Sequence, residues 1–280
     1  MGAVYRVYRN TIMSKNIDRS TRALREIDTL ASGDSPIHAV SAGAKLLVTV
    51  VYILTVVSFD KYRISGLLFM IFYPAVLFAV SGISVSTCFY KLRFVLPLVL
   101  AVGIFNPILD WTPAFAIGSF TVTAGMISML TLMMKGVFSL MASFLLVASS
   151  GISAICAALR RMHVPSVIVT LLLLTYRYIT LMGEEVSVMT NAYHLRAPEQ
   201  KGIEYSAWGS FLGQLLLRSM DRADDIYQAM LLRGYDGRFH YVEEKRAGWK
   251  QWLTGLLIAA LIVLCRYYNV TELLGRLFVR

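Results

Sequence analysis

Long apolar runs constrain this chain more than any other feature. Four of them are close to twenty residues long and are bounded by charged or turn residues: Ala39–Phe59, Ile64–Ile83, Ala124–Ser149 and Gly248–Cys265. A helix of roughly 20 residues crosses the ~30 Å hydrocarbon core of a bilayer. Hydrophobic residues fill 57% of the 280 positions and charged residues 16%, which is too apolar for one soluble core. We therefore expect a membrane protein.

A fifth apolar segment, Phe94–Leu109, is shorter and contains Pro97 and the pair Asn106-Pro107. Proline removes a main-chain donor and disturbs the preceding turn. This segment is therefore expected to be a kinked or partly re-entrant helix, covered by neighbouring helices. The predicted fold class is an all-α polytopic membrane protein, with about five transmembrane helices and a cytoplasmic platform of long amphipathic helices.

The distribution of positive charge predicts the orientation, because cytoplasmic loops retain Lys and Arg. The net charge is +10, and the cations are concentrated in the first 38 residues and in residues 151–247. We expect a multi-pass protein of the inner (cytoplasmic) membrane with a cytoplasmic N-terminus. Its predicted segments are a basic arm, 1–38; a transmembrane bundle, 39–150; a cytoplasmic platform, 151–247; and a last transmembrane helix with its tail, 248–280.

One stretch competes with this topology. Val164–Met182 is apolar except for Arg177 and would be taken as a span from hydropathy alone. If it crossed the membrane, most of the cations of the platform would lie outside, against the rule for loop charges. An arginine at mid-membrane also costs about 2.5–3.5 kcal/mol on the lenient scale. We therefore expect this helix to lie under or against the bundle.

Two long helices are predicted within the platform. The first runs from Pro165, which suits a first helical turn, to Arg196, and it stops at Ala197-Pro198. The second runs from about Trp208 to Arg233 and is closed by Gly234, at the position where glycine adopts a left-handed conformation without strain.

The ends of these two helices match each other. Residues 191–197 read Asn-Ala-Tyr-His-Leu-Arg-Ala, and residues 228–234 read Gln-Ala-Met-Leu-Leu-Arg-Gly. Ala192 precedes Arg196 by four residues and Ala229 precedes Arg233 by four, so each pair shares a helical face. A single arginine at a helix end is ordinarily a capping or solubilising residue. Two matched copies instead predict docking on two related acidic sites of a partner.

Several groups of residues carry a resemblance to a known family. They are Asp34-Ser35-Pro36-Ile37-His38 with Lys45-Leu46, Leu96-Pro97 with Asn106-Pro107, Met162-His163-Val164-Pro165 with Tyr176-Arg177-Tyr178, and the string Ala-Met-Leu-Leu-Arg-Gly-Tyr-Asp-Gly-Arg-Phe at 229–239. Through them the chain resembles the transmembrane T components of energy-coupling factor transporters, and within these the cobalt-type CbiQ family.

The resemblance implies a coupling scaffold. It would join two ABC-type ATPase subunits to a separate cobalt-binding membrane subunit, within membrane lipid and without nucleic acid. The family carries two Ala-Arg-Gly-like coupling motifs. By resemblance, Arg196 and Arg233 occupy the arginine positions of these motifs, and in the first copy Ala197 replaces the glycine. The residues that the resemblance assigns to ATPase coupling are Arg196, Arg233, Ala192, Ala197, Ala229 and Gly234, and those assigned to the shape of the coupling helices are Pro165, Arg177, Asp236 and Gly237.

The sequence contains no GxxxxGK[ST] phosphate-binding loop, so this device for binding ATP is lacking. We expect no enzymatic activity and no cofactor in this chain, with ATP and Mg²⁺ bound by the partner subunits. The four histidines have no spacing that places two of them on one helical face, and no metal ligand is predicted.

Two alternatives remain open. The same coupling role serves nickel or vitamin importers. A stand-alone secondary transporter would use Lys135 and Arg177 as intramembrane charges, although such carriers typically show repeated halves, which this sequence lacks. For Lys135, which lies inside an apolar helix, we expect a structural partner rather than a transport role.

Overall fold

The computed structural model describes residues 26, 28–33, 35–38, 40–62, 64–93, 95–109, 112–117, 120–198, 200, 202–237 and 248–267. These residues form two compact units. We call the described residues of 30–158 and 248–267 the bundle, and those of 26–29 and 159–237 the helix-pair unit. Each unit is considered by itself.

Helices make up most of both units. Those of the bundle are α1 (Ala42–Val57), α2 (Ile64–Phe69), α3 (Phe72–Ser81), α4 (Val85–Leu92), α5 (Leu96–Leu109), most of α6 (Ala124–Arg161) and, at the end of the chain, α9 (Trp249–Tyr267). The helix-pair unit contains α7 (Ser166–Arg196), a short 3₁₀ turn (Tyr205–Ala207) and α8 (Trp208–Leu232). Every predicted apolar segment contains helix, which confirms the all-α fold class.

A small antiparallel hairpin between α5 and α6 was not predicted. It pairs β1 (Pro113–Ile117) with β2 (Phe120–Thr123). The β-branched run Thr-Val-Thr at 121–123 favours extended backbone, and it is the signal that could have revealed the hairpin.

The apolar character of the helices confirms a polytopic membrane protein. Among the described residues, α6, α7 and α9 are long and apolar enough to cross a membrane, and the bent pair Gly66–Ser81 with Val85–Leu92 adds a fourth candidate if it is counted as one span. Two further apolar helices, Ala42–Val57 and Leu96–Pro107, are shorter. The position of α7 relative to the membrane stays a prediction, since length and composition alone admit a span.

The predicted span Ile64–Ile83 contains two helices, α2 and α3, which are separated by Met70 and Ile71. Pro74 explains the break: it has no N–H to donate to the carbonyl of Met70, four residues earlier. The hydroxyl of Tyr52 donates to that carbonyl instead, at 2.8 Å. Tyr52 is fully buried, and its ring stacks on that of Tyr73 at 4.3 Å between centroids. The buried Tyr52 therefore provides the hydrogen bond that Pro74 cannot give to the carbonyl of Met70.

Helix α6 has a break at the position where the sequence predicts the end of a span. Gly151 has φ 73° and ψ 158°, which are not helical. A break of this kind deprives the preceding carbonyls of their usual donors. Lys45 of α1 reaches across and donates from Nζ to the carbonyl of Ser149 at 2.8 Å. This lysine thus has a structural role inside the bundle.

Helices α1 and α9 pack closely through small residues. A side-chain carbon added to Gly255 would lie 3.1 Å from Cβ of Ala44, and one added to Gly43 would lie 3.1 Å from the ring of Trp252. Small residues let helix backbones approach in a membrane, where packing rather than water drives association. The Gly255–Ala44 contact therefore fixes the separation of these two helices.

Candidate functional site

The first of the two matched helix ends lies at the C-terminus of α7. Arg196 is the last helical residue and is exposed, as is Ala192 one turn before it. Ala197 follows with φ −128° and donates from its main-chain N–H to the carbonyl of Tyr193 at 3.0 Å. Because this φ is negative, alanine fits here without strain, and the glycine of the family motif is not needed at this end.

The second end lies at the C-terminus of α8. Arg233 follows the last helical residue, and Gly234 has φ 78°. The N–H of Gly234 donates to the carbonyl of Leu231 at 2.9 Å, and that of Tyr235 donates to the carbonyl of Met230 at 3.0 Å. This is the pattern of a glycine-terminated helix, and the predicted closure by Gly234 is confirmed.

The two ends agree in exposure as well as in sequence. Arg233 and Ala229 are exposed, like Arg196 and Ala192. Both ends belong to the helix-pair unit. Each therefore presents a small residue and a guanidinium on one accessible helical face.

The leucine immediately before each arginine was not singled out from the sequence. Leu195 is 84% exposed and Leu232 is 89% exposed. Their occurrence at the same position of both copies was the available signal. The matched surface is thus a set of three residues in each helix: alanine, leucine and arginine.

Tyr193 organises the chain between the two ends, a role that the sequence does not reveal. Its hydroxyl donates to Oε1 of Gln200 and accepts from the main-chain N–H of Glu204 at 3.2 Å. Gln200 in turn donates to Oε2 of Glu204 at 3.0 Å. This network holds the connection from α7 to α8 against the last turn of α7, beside Arg196.

A groove of about 450 Å³ lies between α7 and α8. Arg218 of α8 donates to Glu185 of α7 across it. Both side chains are partly exposed, so this ion pair contributes about 0–1 kcal/mol to stability. The charged residues that line the groove are Glu184, Glu185, Arg218, Asp221, Arg222 and Asp225.

The other residues assigned by resemblance lie within or next to the same two helices. Pro165 directly precedes α7 with φ −51° and ψ 133°, so it is the residue before the first turn, one position earlier than predicted. Arg177 is exposed along α7, and Asp236 is exposed after α8. Gly237 has φ 86°, a backbone conformation that favours glycine.

The described histidines differ in their surroundings. Nδ1 of His38 lies 2.6 Å from Oγ of Ser35, and its Nε2 lies 3.0 Å from the carbonyl of Leu30. His194 is buried, and within the described part of the chain neither of its ring nitrogens has a hydrogen-bond partner. His240 lies outside the described residues. The described ranges also contain no group of three or more His, Cys, Asp or Glu placed to hold a metal ion.

Lys135 has the structural partners expected for it. Its Nζ donates to the carbonyl of Val57 at 3.1 Å and to that of Phe59. These carbonyls lie at and just beyond the C-terminus of α1, where main-chain oxygens have no donor within the helix. Lys135 therefore caps one helix from another.

Together these features define a class: an all-α polytopic membrane protein that carries two matched, exposed, arginine-tipped helix ends. Residues 33–242 match the family model of the cobalt transport protein CbiQ. The chain belongs to that family, which confirms the resemblance drawn from its motifs.

Curated relatives match parts of the chain. It is 30% identical over 109 residues to the nickel permease LarQ of Lactiplantibacillus plantarum, covering 38% of each protein. It is 31% identical over 116 residues to an uncharacterised protein of Methanocaldococcus jannaschii, covering 39% of each. It is 29% identical over 94 residues to the cobalt transport protein CbiQ of Rhodobacter capsulatus, covering 32% of this chain and 38% of that one. The chain therefore spans less than two fifths of the length of these relatives.

Proposed function

We propose that this chain is the membrane coupling subunit of an ATP-driven metal importer of the energy-coupling factor type. It would join two ABC-type ATPase subunits to a substrate-binding membrane subunit. ATP and Mg²⁺ would be bound, and ATP hydrolysed, by the ATPase subunits, so the chain itself is no enzyme. Membership of a transport-protein family supports this role.

The observation that carries the proposal is the duplication of one exposed surface at the ends of α7 and α8. Arg196 and Arg233 are both exposed at helix C-termini. Two equivalent surfaces on one chain fit two equivalent sites on a dimer. A planar guanidinium forms bidentate bonds with carboxylates, so acidic clefts on the two ATPase subunits are the complementary partner.

Cobalt(II) is the substrate that the family description favours. The relative named as a nickel permease supports nickel(II) as a second candidate. Both are borderline divalent ions that bind nitrogen ligands such as imidazole. We place metal recognition in the separate substrate-binding subunit, and vitamin importers of the same type remain the third candidate.

The proposed arrangement keeps the predicted topology. The basic arm 1–38 and the platform 151–247 lie in the cytoplasm, because this puts most cations on the side where loops retain them. The two arginine-tipped ends then face the compartment that holds ATP. Residues 39–150 and the last helix, which lies within 248–280, cross the cytoplasmic membrane.

The contacts of the described residues do not favour a stand-alone secondary transporter. It would use Lys135 and Arg177 as intramembrane charges for substrate or proton, and Lys135 is bonded to the carbonyls of Val57 and Phe59. An ammonium held by two carbonyls serves packing.

Purification from native membranes tests the proposal. A tagged chain is expected to copurify with ATP-binding subunits and with one further membrane protein, which mass spectrometry identifies. The double variant Arg196→Ala, Arg233→Ala should remain in the membrane but lose the ATPase subunits, stimulated ATPase activity and metal uptake. The control is Arg222→Ala, an exposed arginine in the interior of α8. Unimpaired uptake by the double variant, or transport by the purified chain alone in liposomes, refutes the coupling role.

A further inference from the structure

We infer that Leu195 and Leu232 are a pair of apolar anchors that select the ATP-binding partner. Each would insert into an apolar pocket beside the acidic site that receives the neighbouring arginine. This inference rests on the proposed coupling role and adds the residues that set its affinity and specificity.

Their exposure is the first argument. Leu195 is 84% exposed and Leu232 is 89% exposed, and the next most exposed leucine among the described residues, Leu98, is at 66%. Burying a leucine is favourable in proportion to the apolar area removed from contact with water. The two least covered leucines of the described chain occupy the same position in the two matched helix ends.

Their position on the helices is the second argument. In each copy leucine follows alanine by three residues and arginine follows alanine by four, so the leucine and the arginine lie on either side of the alanine on the helix surface. The exposed Ala192 and Ala229 leave room beside the larger side chains. The surface therefore consists of a small side chain, an exposed apolar side chain and a cation, and it occurs at both helix ends.

The arginine next to each leucine favours a protein over lipid as the partner that covers the leucine. An acyl chain around Leu195 or Leu232 would bring the adjacent guanidinium toward hydrocarbon, where arginine is strongly disfavoured. A protein pocket with an apolar floor and a carboxylate rim accepts both groups at once. An aliphatic anchor in a pocket with a polar rim is an arrangement that can form the centre of a protein interface.

Leucine truncation tests this inference in the intact complex. Leu195→Ala with Leu232→Ala removes three carbons from each anchor, so affinity for the copurifying ATP-binding subunits should fall by about 10- to 50-fold per leucine. The double Leu→Met variant keeps the apolar volume and should bind within about threefold of the parent. Leu216→Ala is the matched control, because Leu216 is also an exposed leucine of α8 but lies far from its end.

The outcomes separate this inference from the proposed function. If the Ala variant binds the ATP-binding subunits within twofold of the parent while Arg196→Ala, Arg233→Ala does not bind, the anchors are wrong and the coupling role stands. If the arginine variant also binds normally, both the leucine anchors and the proposed coupling role are wrong. A photo-crosslinking residue placed at 195 or 232 gives an independent readout: adducts with the ATP-binding subunits are expected at both positions, whereas adducts with lipid or with this chain overturn the inference.

Discussion

Lys135 in α6 donates a hydrogen bond from Nζ to the main-chain carbonyl of Val57, the last residue of α1, at 3.1 Å. Arg266 of α9 donates to the next carbonyl, that of Ser58, at 2.7 Å, and lies over the ring of Phe59. The C-terminus of a helix carries partial negative charge. Two cations from two other helices thus hold the end of α1 and tie three helices of the bundle together.

Replacing Lys135 by Met should therefore destabilise the protein without abolishing a transport step. The carbonyls of Val57 and Phe59 would lose their donor, at a cost of about 1–3 kcal/mol. We expect a lower midpoint of thermal unfolding in detergent, and uptake reduced only in proportion to the amount of folded protein.

Lys250→Met is the control for this prediction, because Lys250 is exposed in α9 and its loss should leave the midpoint unchanged. An unchanged midpoint for Lys135→Met together with abolished uptake would instead assign Lys135 to transport. That result would favour the secondary transporter.

The contact between Gly255 and Ala44 predicts a graded response to size. Gly255→Ala places a carbon 3.1 Å from Cβ of Ala44, and a small shift of the helices can relieve it. Gly255→Leu should force α1 and α9 apart and lower the free energy of unfolding by about 1–3 kcal/mol or more. Thermal unfolding in detergent measures the series, and equal midpoints for Ala and Leu would show that the helices do not pack here. Leu256→Val, at an exposed neighbour, should change stability by no more than about 0.5 kcal/mol.

Opposite signs are expected for two Gly→Ala changes in and after α8. Gly234 has φ 78°, and Gly213 lies within the helix; an added Cβ meets no atom within 4 Å at either position. Gly234→Ala should cost about 1–2 kcal/mol because its backbone is left-handed. Gly213→Ala should stabilise by about 0.5–1 kcal/mol because alanine favours helix. Thermal unfolding measures both, and two changes of the same sign would contradict the assigned end of α8.

Replacing His163 by glycine tests the same backbone preference in the opposite direction. His163 has φ 65°, and the N–H of Val164 donates to the carbonyl of Leu159 at 3.3 Å, as at a glycine-terminated helix end. A left-handed non-glycine residue costs about 1–2 kcal/mol, so His163→Gly should raise the free energy of unfolding. No change, or a decrease, would show that this imidazole makes a compensating contact.

Tyr193→Phe should loosen the connection between the two helix ends without unfolding the protein. The main-chain N–H of Glu204 would lose its acceptor, a bond worth about 1 kcal/mol. Hydrogen exchange at that amide should become about fivefold faster, while α7 and α8 keep their protection. Tyr227→Phe, at an exposed position of α8, is the control. Unchanged exchange at Glu204 would mean that the network does not hold the linker.

Those parts of the fold that depend on the local sequence pattern can be predicted from the sequence. The long helix of the platform is predicted from Pro165 to Arg196 and observed as Ser166–Arg196. Gly151 and Gly234 mark the break in α6 and the end of α8 because positive φ at these positions favours glycine. The exposure of Arg196 and Arg233 likewise agrees with their position at helix ends.

The features that were missed depend on tertiary contacts. Pro74 signals a break in the second apolar segment, but the hydroxyl that stabilises the freed carbonyl of Met70 belongs to Tyr52 of another helix, 18 residues earlier. The exposure of Leu195 and Leu232 cannot be derived from a helical pattern, since a leucine in a last turn is as easily covered as exposed. The bonds of Tyr193 depend on how the linker folds back, which no periodicity encodes.

Labelling from each side of the membrane tests the central claim most directly. Asn191 and Gln228 are exposed at equivalent positions, immediately before Ala192 and Ala229. A cysteine introduced at one of these positions can be probed with a membrane-impermeant maleimide in sealed inside-out and right-side-out vesicles. Labelling of the parent chain, which contains Cys88, Cys156 and Cys265, gives the background to subtract. We predict that both positions react only from the cytoplasmic side and that bound ATPase subunits protect both. Reaction of the two positions from opposite sides, or equal reaction with and without the ATPase subunits, would contradict docking through the matched helix ends.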